Sequence, residues 1–326
     1  MSKLVTIYGG SGFVGRYIAR RMAKAGWRVR IAVRRPNEAL FVKPYGTVGQ
    51  VAPILCNIRD DASVASAMKG ADAVVNCVGT FDKGGKNNFD AVQHVGAERV
   101  ARLAKAEGVS NLVHISAVGA DADGPSLYAK SKAQGEAAIL AHFPDAVILR
   151  PSVMFGPGDG FFNRFAGMTR FGPVLPIVGA DTRFQPVYVD DVAHAAEMGA
   201  KGEAAPGIYE LGGPDVSTFR EWMEEMLDVV QRRRLIVNIP FWIARIMGWG
   251  FDVANAITGR LFAMPISQDQ VAQLGVDNVV SDDAKSFADL GITPTATEII
   301  LPEYLWRFRK DGQYADITAS ARNLRT

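Results

Sequence analysis

The chain has 326 residues, 48% of them hydrophobic and 21% charged, with a formal net charge of +2. That composition fits a soluble globular protein with room for one large α/β domain or two smaller ones. It excludes a disulfide scaffold, because only Cys56 and Cys77 occur, and it carries no long basic run or other nucleic-acid signature.

Taken in order, the first half alternates strand-like and helix-like runs. Leu4-Val5-Thr6-Ile7 is a β-branched strand, and Arg16 to Ala25 a helix stopped by Gly26. Val29 to Val33 is the second strand, after which Pro36 opens a polar connection toward a helix. Val51 to Cys56 is the third strand, and Pro53, lacking an N–H, suits an edge position. A helix from Asp61 to Lys69, a nearly continuous apolar strand from Ala73 to Gly79 and a long helix from Phe89 to Glu107 follow. Leu112 to Ser116, Ser126 to His142 and Ala146 to Leu149 complete a strand–helix–strand run. Such alternation predicts an α/β fold, a doubly wound parallel sheet with helices on both faces. Beyond Arg150-Pro151 glycine and proline become dense, predicting loops from Phe155 to Pro186 with a short helix near Phe162 to Phe171. Gln185 to Val192 returns to a strand and helix, Gly207 to Gly212 is another strand, and Thr218 to Val230 is helical with Ser217 or Thr218 as N-cap. The division expected is residues 1–150 with 184–212 as a dinucleotide-binding domain, and 151–183 with 213–326 as a smaller, mainly helical substrate or partner domain.

No run of about 18 uncharged apolar residues occurs, so no bilayer span is expected. The first strand starts by Leu4, which leaves no room for a signal peptide before it. Both cysteines sit in apolar strand runs, as core thiols of a reducing compartment would. His94, His114, His142 and His194 have no metal-ligand spacing, and Asp190-Asp191 reads as a helix N-terminal cap.

The first strand ends in Gly9-Gly10-Ser11-Gly12-Phe13-Val14-Gly15, a Gly-x-x-Gly-x-x-Gly turn. Between a strand and a helix, such a turn lets a pyrophosphate approach the backbone and face the positive end of the helix dipole. A carboxylate about 20 residues further on would select a free ribose 2′-hydroxyl. That position holds Arg34, followed by Arg35, and a guanidinium instead suits a 2′-phosphate, so the expected cofactor is NADP(H). Tyr128 and Lys132 lie one helical turn apart, where an ammonium would lower the phenol pKa and prepare it for proton exchange with a carbonyl or hydroxyl.

In this order the residues resemble the short-chain dehydrogenase/reductase superfamily, in its extended or atypical, epimerase/dehydratase-like branch. The likeness runs from Leu4 to about Leu211 through the glycine turn, Asn57-Ile58-Arg59-Asp60, Val78-Gly79, Tyr128/Lys132 and Leu149-Arg150-Pro151. It implies a Rossmann-type sheet and cofactor contacts from Gly9, Ser11, Gly12, Phe13, Val14, Gly15, Arg34, Arg35, Asn57, Ile58, Val78, Gly79, Ser116, Tyr128, Lys132 and Pro151. It also implies Tyr128 and Lys132 as the catalytic pair, with no metal. Asn57 stands where an aspartate is common, and can still hydrogen-bond the adenine. Extended members carry a Ser or Thr directly after the position of Ser116; here Ala117 follows. Unless Ser116 or Ser126 takes over, the hydroxyl that would polarise a carbonyl is absent and the Tyr–Lys pair is vestigial. The alternative is an active NADPH-dependent reductase or epimerase on a small or quinone-related carbonyl.

Arg150 to Gly156, Asp159, Phe161 to Phe165, Gln185 to Val192 and Leu290 to Thr295 further resemble the SDR-like accessory-subunit family of respiratory complex I. That resemblance implies an NADPH bound largely structurally, and complex I partners near the quinone site. It places the protein peripherally on the cytoplasmic side of a bacterial inner membrane; the same group includes a protein of ubiquinone biosynthesis. Residues 239–265 have an apolar arc too wide for an ordinary surface helix, preceded by Arg232-Arg233-Arg234. Core, partner surface and membrane-surface contact all remain open for this stretch.

Overall fold

The structure is a computed structural model in which residues 2–257 and 268–314 are described, with backbone alone for 252–257. Its contacts divide the chain into two compact units. The first comprises Met1–Ser152, Val189–Gly212 and Val280–Pro294; the second comprises Val153–Tyr188, Gly213–Val279 and Thr295–Thr326. Relative to the division expected from the sequence, 184–188 fall with the second unit, and 151–152 and 280–294 with the first.

In the first unit, β1 (Leu4–Tyr8), β2 (Arg28–Val33), β3 (Val51–Leu55), β4 (Ala73–Asn76), β5 (Asn111–Ile115), β6 (Val147–Pro151) and β11 (Gly207–Leu211) form one sheet among the described residues. Its order is β11-β6-β5-β4-β1-β2-β3, parallel throughout. This is the doubly wound arrangement: the order reverses beside β1, so a crevice opens at its carboxyl end. Every residue of β1 and β4 is buried, as expected when helices cover both faces. β3 lies at the edge, where Pro53 costs no ladder hydrogen bond. The helices are α1 (Phe13–Lys24), α2 (Asp61–Met68), α3 (Val95–Ala106), α4 (Leu127–His142) and α6 (Val189–Lys201). Met68, Val74, Val100, Leu112 and Ile139 meet in a core cluster on the α2, α3 and α4 side.

The helix expected beyond Pro36 is a 3-10 helix, Pro36–Tyr45, that buries Ala39 and Val42. Two local expectations change. The long helix opens with a π-helical turn, Asp90–His94, before α3. Asp190 and Asp191 lie inside the first turn of α6 rather than capping it. Asp190 instead takes a paired bond from Arg21 of α1, with Nε–Oδ1 at 3.0 Å and Nη2–Oδ2 at 2.7 Å.

In the second unit, β8 (Val174–Val178) pairs in parallel with β13 (Leu235–Ile239), and two-residue strands pair as β7 (Met154–Phe155) with β10 (Val187–Tyr188) and β9 (Arg183–Phe184) with β12 (Ser217–Thr218). The region expected as loops therefore carries β8, whose partner is some sixty residues away in sequence. The helices are α5 (Phe162–Met168), α7 (Phe219–Val229), α8 (Phe241–Ile257), α9 (Gln268–Gln273) and α10 (Thr297–Leu305). Thr218 caps α7 through a full capping box with Glu221. Phe155, Phe162, Phe219, Trp222, Leu301 and Tyr304 form this unit's core.

Of the wide apolar arc expected over 239–265, residues 258–265 and the side chains of 252–257 lie outside what is described. Among the described side chains of α8 it is the small residues Ala244 and Gly248 that are buried. Trp242, Ile246 and Trp249 are 65%, 62% and 61% exposed, so this turn of the arc is not core. Among the described residues no helix is long and apolar enough to cross a membrane.

Candidate functional site

The site grows from the turn after β1. Gly9 sits at φ +74°, a conformation that favours glycine, and its N–H donates to the Ala32 carbonyl at 2.9 Å. A Cβ on Gly15 would stand 2.5 Å from the Gly9 carbonyl oxygen, so α1 can approach the turn this closely only with glycine there. No side chain caps α1 at Gly12, and its first turn holds no acid, which leaves its positive end for an anionic ligand.

Over this turn lies a cavity of about 280 Å³, lined at the strand ends by Tyr8, Gly9, Ser11, Gly12, Ala32, Val33, Arg34, Cys56, Asn57, Ile58, Cys77, Val78 and Gly79. Thr80, Asp82, Asn87 and Val92 complete its lining. Of the residues expected at a cofactor, Gly9, Ser11, Gly12, Arg34, Asn57, Ile58, Val78 and Gly79 thus share one cavity. The remainder do not line it. Phe13, Val14 and Gly15 form the first turn of α1. Arg35 turns to Glu38 in an exposed pair at 3.0 Å, whereas exposed Arg34 faces the cavity. Pro151 ends β6, its carbonyl accepting from Val118 N–H at 3.0 Å.

The loop after β4 is held by buried side chains. Asn76 Oδ1 accepts from Val78 N–H at 3.1 Å, and its Nδ2 lies 3.2 Å from His114 Nδ1. Burial and the Lys132 charge push the His114 pKa down to about 3, so this imidazole is neutral. From the π-helical turn, Gln93 Nε2 donates to the Thr80 carbonyl at 3.0 Å. Cys77 is a wall residue whose thiol burial pushes up to about 12, which makes it inert rather than nucleophilic.

Lys132, on α4, lies behind the cavity wall beside Gly79. Its Nζ donates to the Ile115 carbonyl at 3.1 Å, and a Cβ on Gly79 would lie 3.9 Å from it. The same Nζ stands 5.9 Å from the centroid of the Tyr128 ring. Tyr128 is stacked on Phe81, with centroids 5.2 Å apart and planes 14° apart, and meets the edge of Phe89 at 6.1 Å. The expected lowering of the phenol pKa is not found. Burial pushes Tyr128 up to about 12, and burial pushes Lys132 down to about 8 against the opposing pull of Glu136 and Cys77, because each charged form loses water.

Neither serine that could stand in for the missing hydroxyl is set for that task. Ser116 is buried and donates its hydroxyl to Glu136, which Arg150 clasps through Nε at 2.9 Å and Nη2 at 2.6 Å. Arg150 also reaches Glu210 at 3.2 Å, and Glu210 accepts from Ser281 N–H at 2.9 Å. Ser126 is buried and caps α4, accepting from Ala129 N–H at 3.0 Å. Sequence reasoning missed Tyr8, Ala32, Val33, Cys56 and Cys77, although their place at strand carboxyl ends was a usable signal. For Thr80, Asp82, Asn87 and Val92 it offered none.

Comparison with known proteins places this geometry. The model of the NAD dependent epimerase/dehydratase family matches residues 5–212. The chain is 34% identical to the mitochondrial NADH dehydrogenase [ubiquinone] 1 alpha subcomplex subunit 9 of Arabidopsis thaliana, over 97% of this chain and 81% of that protein. It is 31% identical to the mitochondrial NADH-ubiquinone oxidoreductase 40 kDa subunit of Neurospora crassa, over 95% and 80%. A Ceramide reductase of Caulobacter vibrioides is 31% identical over 73% of this chain and 74% of that protein. Among solved structures, DesIV (dTDP-glucose 4,6-dehydratase) of Streptomyces venezuelae with NAD and TYD bound has the same fold, with TM-score 0.72 at 19% identity over 95% and 98% of the two chains. With the dinucleotide-type turn, the parallel sheet and the family match in agreement, this chain belongs to the NAD dependent epimerase/dehydratase family.

Proposed function

We propose that this protein holds NADP(H) as a resident group and serves NADH–ubiquinone oxidoreductase, respiratory complex I, as an accessory or assembly subunit without turnover of its own. Similarity to two subunits of that enzyme over nearly the whole chain carries the reading. In it the first unit is the dinucleotide domain and the second meets partners. The Gly9–Gly15 turn and the start of α1 take the pyrophosphate, and Arg34 pairs with the 2′-phosphate. Asn57 and Ile58 flank the adenine, and Lys132 holds the nicotinamide ribose past Val78 and Gly79. Bound there, NADP(H) would supply hydride chemistry. The residues beside it favour retention instead, since Ser116 is committed to Glu136, Ala117 has no hydroxyl and Tyr128 is a reluctant acid. The location proposed is peripheral, on the cytoplasmic face of a bacterial inner membrane. Partners near the quinone site and the membrane surface would be met partly through 239–265, where Trp242, Ile246 and Trp249 present an apolar helical face. Deleting the gene tests this: complex I abundance and activity should fall, and unchanged values would sink the reading.

A second reading, an NADPH-dependent reductase of a lipophilic carbonyl, is favoured by the Tyr128–Lys132 juxtaposition and by the similarity to a ceramide reductase. Under it, substrate-dependent NADPH oxidation should appear and Tyr128→Phe should abolish it while NADPH still binds.

A further inference from the structure

We propose that the second unit carries a docking surface for anionic phospholipid, built on Arg170, Arg232, Arg233, Arg234 and Arg307 with Phe171, Leu235 and Trp306 entering the bilayer interface beside them. Three stretches of chain converge there. Arg234 Nε donates to the Thr169 carbonyl at 2.9 Å, Arg170 Nη2 to the Arg307 carbonyl at 2.7 Å, and Arg232 Nε to the Phe308 carbonyl at 2.7 Å. The guanidinium carbons of Arg170 and Arg307 stand 4.9 and 5.0 Å from the centroid of the buried Phe308 ring.

What these arginines lack is a counter-charge. Among the described residues none of the five has a carboxylate at ion-pair distance; their partners are carbonyls and the Asn163 amide. Outside the described side chains the sequence adds only Asp252 and Asp316 as acids. Burial together with the charges of Arg234 and Arg170 depresses the Arg232 pKa, a sign of crowded like charge. A guanidinium carries five N–H donors and a carbonyl engages one or two, so the forks retain capacity for phosphate oxygens.

Each stretch also exposes one large apolar side chain next to its arginine. Phe171 follows Arg170 and is 91% exposed; Leu235 follows Arg234 at 66%; Trp306 precedes Arg307 at 38%. A free phosphate gives no use for these groups, whereas the headgroup layer of a bilayer takes both the charge and the apolar side chains, Leu235 included. The inference rests on the membrane-peripheral reading above, and assigns that contact to a lipid class and to residues outside 239–265.

The test is sedimentation of the full chain with vesicles of phosphatidylcholine alone or of phosphatidylcholine with phosphatidylglycerol. Binding should require phosphatidylglycerol and weaken with salt. Arg170→Glu with Arg233→Glu should lower it by roughly tenfold or more, and Phe171→Ser should lower it while its charge dependence persists. Arg233→Glu alone, at an exposed side chain that makes no hydrogen bond or ion pair among the described residues, should still weaken binding and guards against misfolding of the double variant. Equal binding to both vesicles, indifference to charge reversal, or displacement by inorganic phosphate would overturn the inference. If vesicle binding fails but the protein still co-purifies with complex I, the subunit reading stands and the lipid surface falls.

Discussion

The Ser116 hydroxyl donates to the Glu136 carboxylate, one turn along α4 from Lys132, in a buried cluster that Arg150 closes. A serine at the end of β5 is thereby a structural donor, and the pair of helix and strand it joins carries the Tyr–Lys motif. Ser116→Ala should accordingly destabilise the fold by about 1.5–3 kcal/mol, as for loss of a hydrogen bond to a charged group, and leave dinucleotide affinity unchanged. Arg150→Met should cost about 3–5 kcal/mol by stranding two buried carboxylates, Glu136 and Glu210. Urea denaturation with parallel NADPH titration checks both; a collapse of NADPH affinity in Ser116→Ala would place that hydroxyl at the cofactor.

The two arginines after β2 should behave differently. Arg34 faces the cavity and Arg35 pairs with Glu38 at the surface. Arg34→Ala should weaken NADPH by roughly ten- to a hundredfold and leave NADH nearly untouched. Arg35→Ala should change either by no more than about twofold. Fluorescence titration of both dinucleotides against both variants decides it.

Gly15→Ala should fail at the turn itself. Its Cβ would meet the Gly9 carbonyl oxygen at 2.5 Å and Gly10 Cα at 2.7 Å, both backbone atoms that cannot rotate away. The expected cost is about 1–3 kcal/mol of stability, with dinucleotide binding lost because α1 is pushed off the turn. Thermal melts with and without NADPH measure both effects, and a variant still stabilised by NADPH would show that the close approach is dispensable.

Acid should find His114. Its folded pKa of about 3 lies below the ordinary 6.5, so between those values the unfolded chain binds more protons. Stability therefore falls as pH drops from about 6.5 toward 3, and His114→Asn should flatten that slope in denaturation curves taken across the window. An unchanged slope would mean that other groups govern acid unfolding.

How far the sequence carried these conclusions depended on whether the signal was local. Strands β1 to β6 stood out as apolar runs between glycines and prolines, and Pro53 marked the edge strand because its missing N–H is tolerated there. β8 was hidden: Val174 to Val178 lies among glycines and prolines, and its partner β13 is distant in sequence. Periodicity showed that α8 had a wide apolar arc, but burial of Ala244 and exposure of Trp242 depend on what packs against it. At the site, the glycine turn and Arg34 were readable as spacing. The engagement of Ser116 by Glu136 and the raised Tyr128 pKa were not, since both come from tertiary burial.

The most direct measurement is native mass spectrometry of the protein isolated from its own membranes, scoring bound dinucleotide and protein partners together. The account predicts one NADP(H) per chain in a population that also carries complex I subunits. Isolation of a dinucleotide-free monomer, or of a dinucleotide-bound protein that is never associated with complex I, would contradict it.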